Sequence, residues 1–331
     1  MGNFTYLLNE IKNSLLEGKT YNDVCNMIVE ELGVHDEVTK ISFDIMEKLK
    51  EELKKRQKCY YSDIPGASHK DGKFNFEALG KTIVIDYTFI NYRDETYKKR
   101  YSNLIPNKKK NAFTRSNLVL SLTVEAVSGY IDIYTYVDTI QHEIQHFFQE
   151  DKIGYSFGST TWYKIATKCK QRPSGSLTYM IGDVIYLSLQ CEEEAFTNGL
   201  YASLVYNYKH ENKPTIEVLD NSPIYNALLK MRKEVDILLQ NKEDETLRKT
   251  LSIIKKMTNG TTFNGIINMA KRAEKEIIRR IGRVIVKAQK DCDVANDMWA
   301  NNNRRDVYTK ESVNELYNLK KPVNSSPLLK I

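Results

Sequence analysis

Two histidines four residues apart, with a glutamate directly after the first, set the tightest constraint on how this chain can fold: His142-Glu143-Ile144-Gln145-His146. On an α-helix, residues i and i+4 stand one turn above each other on the same face. Two imidazoles so placed can bind one tetrahedral Zn²⁺ at about 2.0–2.1 Å each. The intervening glutamate then lies beside the metal's open position, where it can take a proton from a water. The pattern alone fixes three positions and arises by chance in roughly one chain in a hundred, so its surroundings matter. Only five histidines occur (His35, His69, His142, His146, His210), and two of them fall here. Ile140, Ile144, Phe147 and Phe148 supply an apolar stripe at helical spacing. No proline or glycine interrupts residues 130 to 152, and Gly154 is a stop signal. The competing reading is a core helix whose pattern is coincidental.

The 331 residues can bury a sizeable core in one or two domains with extensions. No stretch approaches the roughly 20 apolar residues that span a bilayer, and the opening residues lack the pattern of a signal peptide. Gly2 raises the question of myristoylation, but Tyr6 stands where Ser or Thr is required. The five cysteines are widely spaced with no C-x-x-C, which argues against a disulfide scaffold. The expectation is a cytoplasmic protein without membrane association. The net charge of +6 is uneven: residues 251 to 331 hold sixteen Lys and Arg against eight Asp and Glu, so the preceding part is slightly acidic.

Periodicity predicts helices over about 4–16, 20–32 and 36–57, then a turn-rich run at 63–72 that marks a boundary. The period next changes to two. A β-branched and aromatic strand covers 82–90, and a strand with one buried face covers 117–127. Ser128-Gly129 ends it and the motif helix is expected at once. Residues 162–170 suit a short helix, and 177–208 read as one long apolar helix. Lys213-Pro214 marks a second boundary, with helices expected over 223–240, 244–257, 262–291 and 310–319. The division is therefore a helical segment at 1–70, a core at 71–212 and a basic helical region at 213–331.

Two histidines leave a catalytic zinc one protein ligand short, since three plus water is the usual count. His35, His69 and His210 lie in unpromising contexts. The consecutive Glu192, Glu193 and Glu194 interrupt an otherwise apolar helix, where unpaired charge is costly to bury. An alternating strand, an H-E-x-x-H helix and a later helix carrying Glu-Ala resemble the gluzincin type of zinc metallopeptidase. In that family the third ligand opens motifs such as E-A-x-x-D, which Glu194-Ala195-Phe196-Thr197-Asn198 resembles. An E-x-x-A-D variant would instead place the ligand at Glu192, with Phe196 at the aspartate position. Phenylalanine cannot orient an imidazole, so Glu194 is preferred and Glu192 is the alternative. A solvated acidic patch is the reading without a ligand.

The resemblance covers about residues 81–208. It implies an α+β, mainly helical fold with a zincin-like catalytic core, Zn²⁺ on His142, His146 and Glu194, Asn198 orienting a histidine, and Glu143 as general base. The implied substrate is a peptide or protein. Tyr179, Tyr201, Tyr206 and His210 are candidates to stabilise the oxyanion, and the strand 117–127 is a candidate edge for an extended substrate. Lys152 stands where a metzincin would have its third histidine, which sets that family aside. Two rivals remain: a structural or interaction protein stapled by the metal, and a protein tethered to nucleic acid by the basic helix at 269–287. The commoner role of such a helix is packing with a solvated basic face.

Overall fold

The computed structural model describes residues 36–55, 67–78, 80–101, 111–114, 118–153, 160–210, 213, 215–294 and 328–330. The helices expected before Gly33, Pro214 and the helix expected at 310–319 lie outside these residues. In chain order the elements are α1 (Asp36–Lys55), β1 (Ala67–Ala78), β2 (Lys81–Tyr92), α2 (Glu95–Tyr101), β3 (Ala112–Thr114), β4 (Val119–Val127), β5 (Tyr130–Asp132) and α3 (Ile133–Ile153). Then follow α4 (Thr161–Lys170), α5 (Leu177–Leu187), α6 (Gln190–His210), α7 (Thr215–Asp220), α8 (Pro223–Gln240), α9 (Glu245–Met257), α10 (Phe263–Asp291) and β6 (Leu328–Lys330). The class is α+β and mainly helical, as expected.

The mixed sheet runs β1-β2-β4-β5-β6, with β3 also on β4. Strands β2 and β4 are parallel, with Ile85 opposite Leu120 and Phe89 opposite Val124. Ile85, Tyr87, Leu120 and Leu122 share one face of this pair and are fully buried, whereas Val84, Asp86, Val119 and Ser121 on the opposite face are half-buried. Strand β1 pairs antiparallel with β2 through a two-residue connection in which Gly80 has φ +67°. The turn-rich run was expected to mark a boundary, but residues 67–72 are strand, because their partners at 87–92 supply a ladder that overrides local turn chemistry.

Nor does the motif helix follow β4 at once. Ser128 and Gly129 take φ +54° and +78°, the left-handed pair that a tight hairpin requires, and fold β5 back on β4. Strand β4 is also no open edge for a substrate. Beyond β2, its other side is taken by β3 and β5. Between them, the Thr123 N–H donates to Asn111 and the Glu125 N–H to the Tyr136 hydroxyl.

The helix expected over 177–208 is two helices. The Ser188 hydroxyl bonds back to the Val184 carbonyl at 2.7 Å, closing α5. The Leu189 carbonyl then accepts from the Glu192 and Glu193 N–H groups, opening α6. Carboxylates in a first helical turn complement the positive end of the helix dipole, which gives the glutamate run its place. Helix α6 is buried at 15 of its 21 residues, so it meets neighbours all round. One side joins the core of α1, the sheet and α3, through Ala202 and Tyr206 against residues such as Leu49, Leu122 and Ile140. The other joins the core of α4 to α10, through Leu200 and Leu204 with Ile181, Leu228 and Ile281. The boundary expected after residue 70 falls inside β1, and the one after residue 212 divides helices that share a core.

Candidate metal centre

The chemistry-bearing residues meet where α3 crosses α6. Asp138 lies against Gly199, the His142 ring against Phe196 at 4.4 Å between centroids, and His146 against Glu192. Numbers rise along one helix as they fall along the other, so the pair is antiparallel and the histidine stripe of α3 reads the first turns of α6. The absence of a side chain at Gly199 permits the approach: a Cβ there would stand 2.3 Å from the Asp138 Oδ1.

The Nε2 atoms of His142 and His146 lie 3.2 Å apart. A Glu192 oxygen lies 3.4 Å from the first, and its other oxygen 3.5 Å from the second. Ligand atoms of a tetrahedral ion at about 2.0–2.2 Å would be spaced about 3.3–3.6 Å apart; one atom from each of the three residues lies within 4.8 Å of the others, close to the size of such a shell. Glu192 is 1% exposed. Burial alone would raise its pKa, but the two imidazoles hold the carboxyl well below the usual range. His142 is also buried, whereas His146 and Glu143 are partly exposed. Of all described His, Cys, Asp and Glu side chains, these are the three that cluster at metal-binding spacing.

The preferred third ligand, Glu194, is not in this group. Two residues along a helix is about 200° of rotation, so Glu194 turns from α3 and accepts from Gln190 at 2.9 Å, with Arg280 of α10 at 3.7 Å. The alternative, Glu192, is the carboxylate that lies beside the two imidazoles. Asn198 is buried on α6 but does not orient His142, whose Nδ1 has no hydrogen-bond partner among the described residues. Phe196, the residue that counted against Glu192, packs on the His142 ring instead.

The expected oxyanion donors are also engaged elsewhere. Tyr201 donates to Asp291 at 2.5 Å, and Tyr206 accepts from Lys50 at 2.8 Å. Tyr179 faces Lys230, and His210 stacks on Tyr206. The tyrosine at the centre is Tyr186 of α5. Its phenol is hydrogen-bonded to Glu192, and burial first, then Glu192, Tyr163 and Glu143, push it far above the ordinary value. Sequence periodicity had no means of finding it, because the break at Ser188 is what turns α5 toward the site. No protein-family model, curated protein or solved structure matches the chain.

Proposed function

We propose that the protein is a zinc-dependent peptidase with a zincin-like core, in which His142, His146 and Glu192 hold Zn²⁺ and Glu143 is the general base. The observation that carries this reading is the pair of Nε2 atoms 3.2 Å apart on the H-E-x-x-H helix, with the Glu192 carboxylate of α6 placing one oxygen 3.4 Å from the first and the other 3.5 Å from the second. Three protein ligands leave one position open, which is the pattern of catalytic and not structural zinc. When bound, Zn²⁺ would lower the pKa of a water and polarise a peptide carbonyl.

The chain's own groups supply the rest. Glu143 follows a ligand directly and is partly exposed, so it can take the proton of the attacking water and return it to the leaving amine. The Tyr186 phenol, hydrogen-bonded to Glu192, stands beside the site and can turn its proton toward the oxygen on which negative charge develops. Substitution Glu143→Gln separates this reading from that of a structural metal. The expected result is zinc retained at wild-type stoichiometry, with cleavage of a mixed peptide library reduced by about a thousandfold or more. Unchanged cleavage, or none in the wild type, counts against a peptidase.

A further inference from the structure

The α3–α6 interface buries a carboxylate that no contact explains. Asp138 is 0% exposed, and neither carboxylate oxygen has a hydrogen-bond partner among the described residues. Such groups are rare in folded proteins because an unmade bond costs the full loss of hydration. One turn further along the same helix stands a second orphan, the Nδ1 of His142. The Nε2 of that ring faces Glu192 and His146. An imidazole bound to a metal through Nε2 carries its proton on Nδ1, and that N–H requires an acceptor that fixes the ring.

We infer that Asp138 is the positioning residue of the metal centre, accepting the His142 Nδ1–H across one helical turn, directly or through one buried water. This inference rests on the metal-site reading above. Residues four apart on a helix are within reach of each other, and the approach of Gly199 fixes the carboxylate in the interface. Gln141, three residues after Asp138, has a buried Nε2 without a partner and can serve the second oxygen. Its own Oε1 is anchored by the Ser42 hydroxyl at 2.7 Å. The arrangement accounts for the phenylalanine at position 196: the orienting carboxylate comes from the histidine helix itself, so the facing position on α6 is free to pack on the ring.

The test compares wild type, Asp138→Ala, Asp138→Asn and Gly199→Ala by zinc competition against a chromophoric chelator, with proton NMR of imidazole N–H groups in the zinc form. The apo proteins are melted alongside. Asp138→Ala is expected to weaken zinc binding about 10–100-fold, to remove one exchange-protected imidazole resonance, and not to lower the apo melting temperature. Asp138→Asn, which keeps an acceptor oxygen, is expected to recover part of the affinity. Gly199→Ala, whose methyl displaces the carboxylate, is expected to resemble Asp138→Ala. Wild-type affinity in both Asp138 variants overturns the inference, and Asp138→Asn alone decides it if the alanine variant does not fold. Absence of zinc from the wild type overturns the metal-site reading instead.

Discussion

Replacing Glu192 and Glu194 separately distinguishes two carboxylates that are neighbours in sequence and face different partners. Four-ligand zinc sites bind with apparent free energies of about 10–16 kcal/mol. One ligand is therefore worth roughly 3–4 kcal/mol, or a factor of about 10²–10³ in Kd. Glu192 is 1% exposed and its oxygens lie 3.4 and 3.5 Å from the two imidazoles, so Glu192→Ala removes a ligand that no neighbouring group replaces. Glu192→Gln keeps the volume but loses the charge and is expected to fall between the alanine variant and wild type. The Glu194 side chain is 30% exposed and sits 3.7 Å from Arg280. A surface pair of that kind contributes at most about 1 kcal/mol, so Glu194→Ala is expected to hold zinc within about threefold of wild type. Competition with a chromophoric chelator at fixed pH and ionic strength measures all four proteins on one scale. A larger loss in Glu194→Ala than in Glu192→Ala would refute the ligand assignment.

Gly182 on α5 lies so close to α4 that an added Cβ would stand 2.4 Å from the Cys169 Cβ and 2.9 Å from the Ala166 carbonyl oxygen. Gly182→Ala is expected to destabilise the fold by about 1–3 kcal/mol despite its better helix propensity, measured by urea unfolding; unchanged stability would contradict the contact. Glu193 is 7% exposed, and burial pushes its carboxyl up to about 7, with Arg280 opposing and Glu276 adding to the shift. In the unfolded chain a glutamate ionises near about 4.3, so the folded state keeps the proton longer and stability falls as pH rises between these values. Glu193→Gln is expected to remove that slope and to stabilise the fold at about pH 8 by up to about 3 kcal/mol; parallel pH profiles would contradict it.

The sequence foretold those features that depend on local chemistry. The helices expected to start near 223, 244 and 262 do so, and Ser222, Asp244 and Thr262 cap them, each accepting from an N–H three residues on. The basic helix buries Ile277, Ile281 and Ile285 and leaves Lys271, Lys275 and Arg279 exposed, as a packing helix should. Features that depend on distant partners were not legible. Strand β1 exists because β2 pairs with it, and its own turn residues pointed the other way. Spacing brought both histidines and Glu143 together as candidates, but it did not single out Glu192 as the carboxylate beside the two rings. The choice between Glu192 and Glu194 depends on where α6 begins, which the break at Ser188 and Leu189 sets. It also turned on the demand for a carboxylate facing the first histidine from α6, whereas the buried carboxylate one turn before that histidine is Asp138 of α3 itself.

X-ray absorption at the zinc edge on the purified, zinc-loaded protein reports the atoms bonded to the ion. With His142, His146 and Glu192 as ligands, one zinc per chain is expected in a four-coordinate shell of nitrogen and oxygen at about 2.0–2.2 Å, with outer-shell scattering from two imidazoles that drops to one in His146→Ala. A sulfur shell at about 2.3 Å, or a spectrum unchanged by His146→Ala, would place the ion elsewhere and contradict the account.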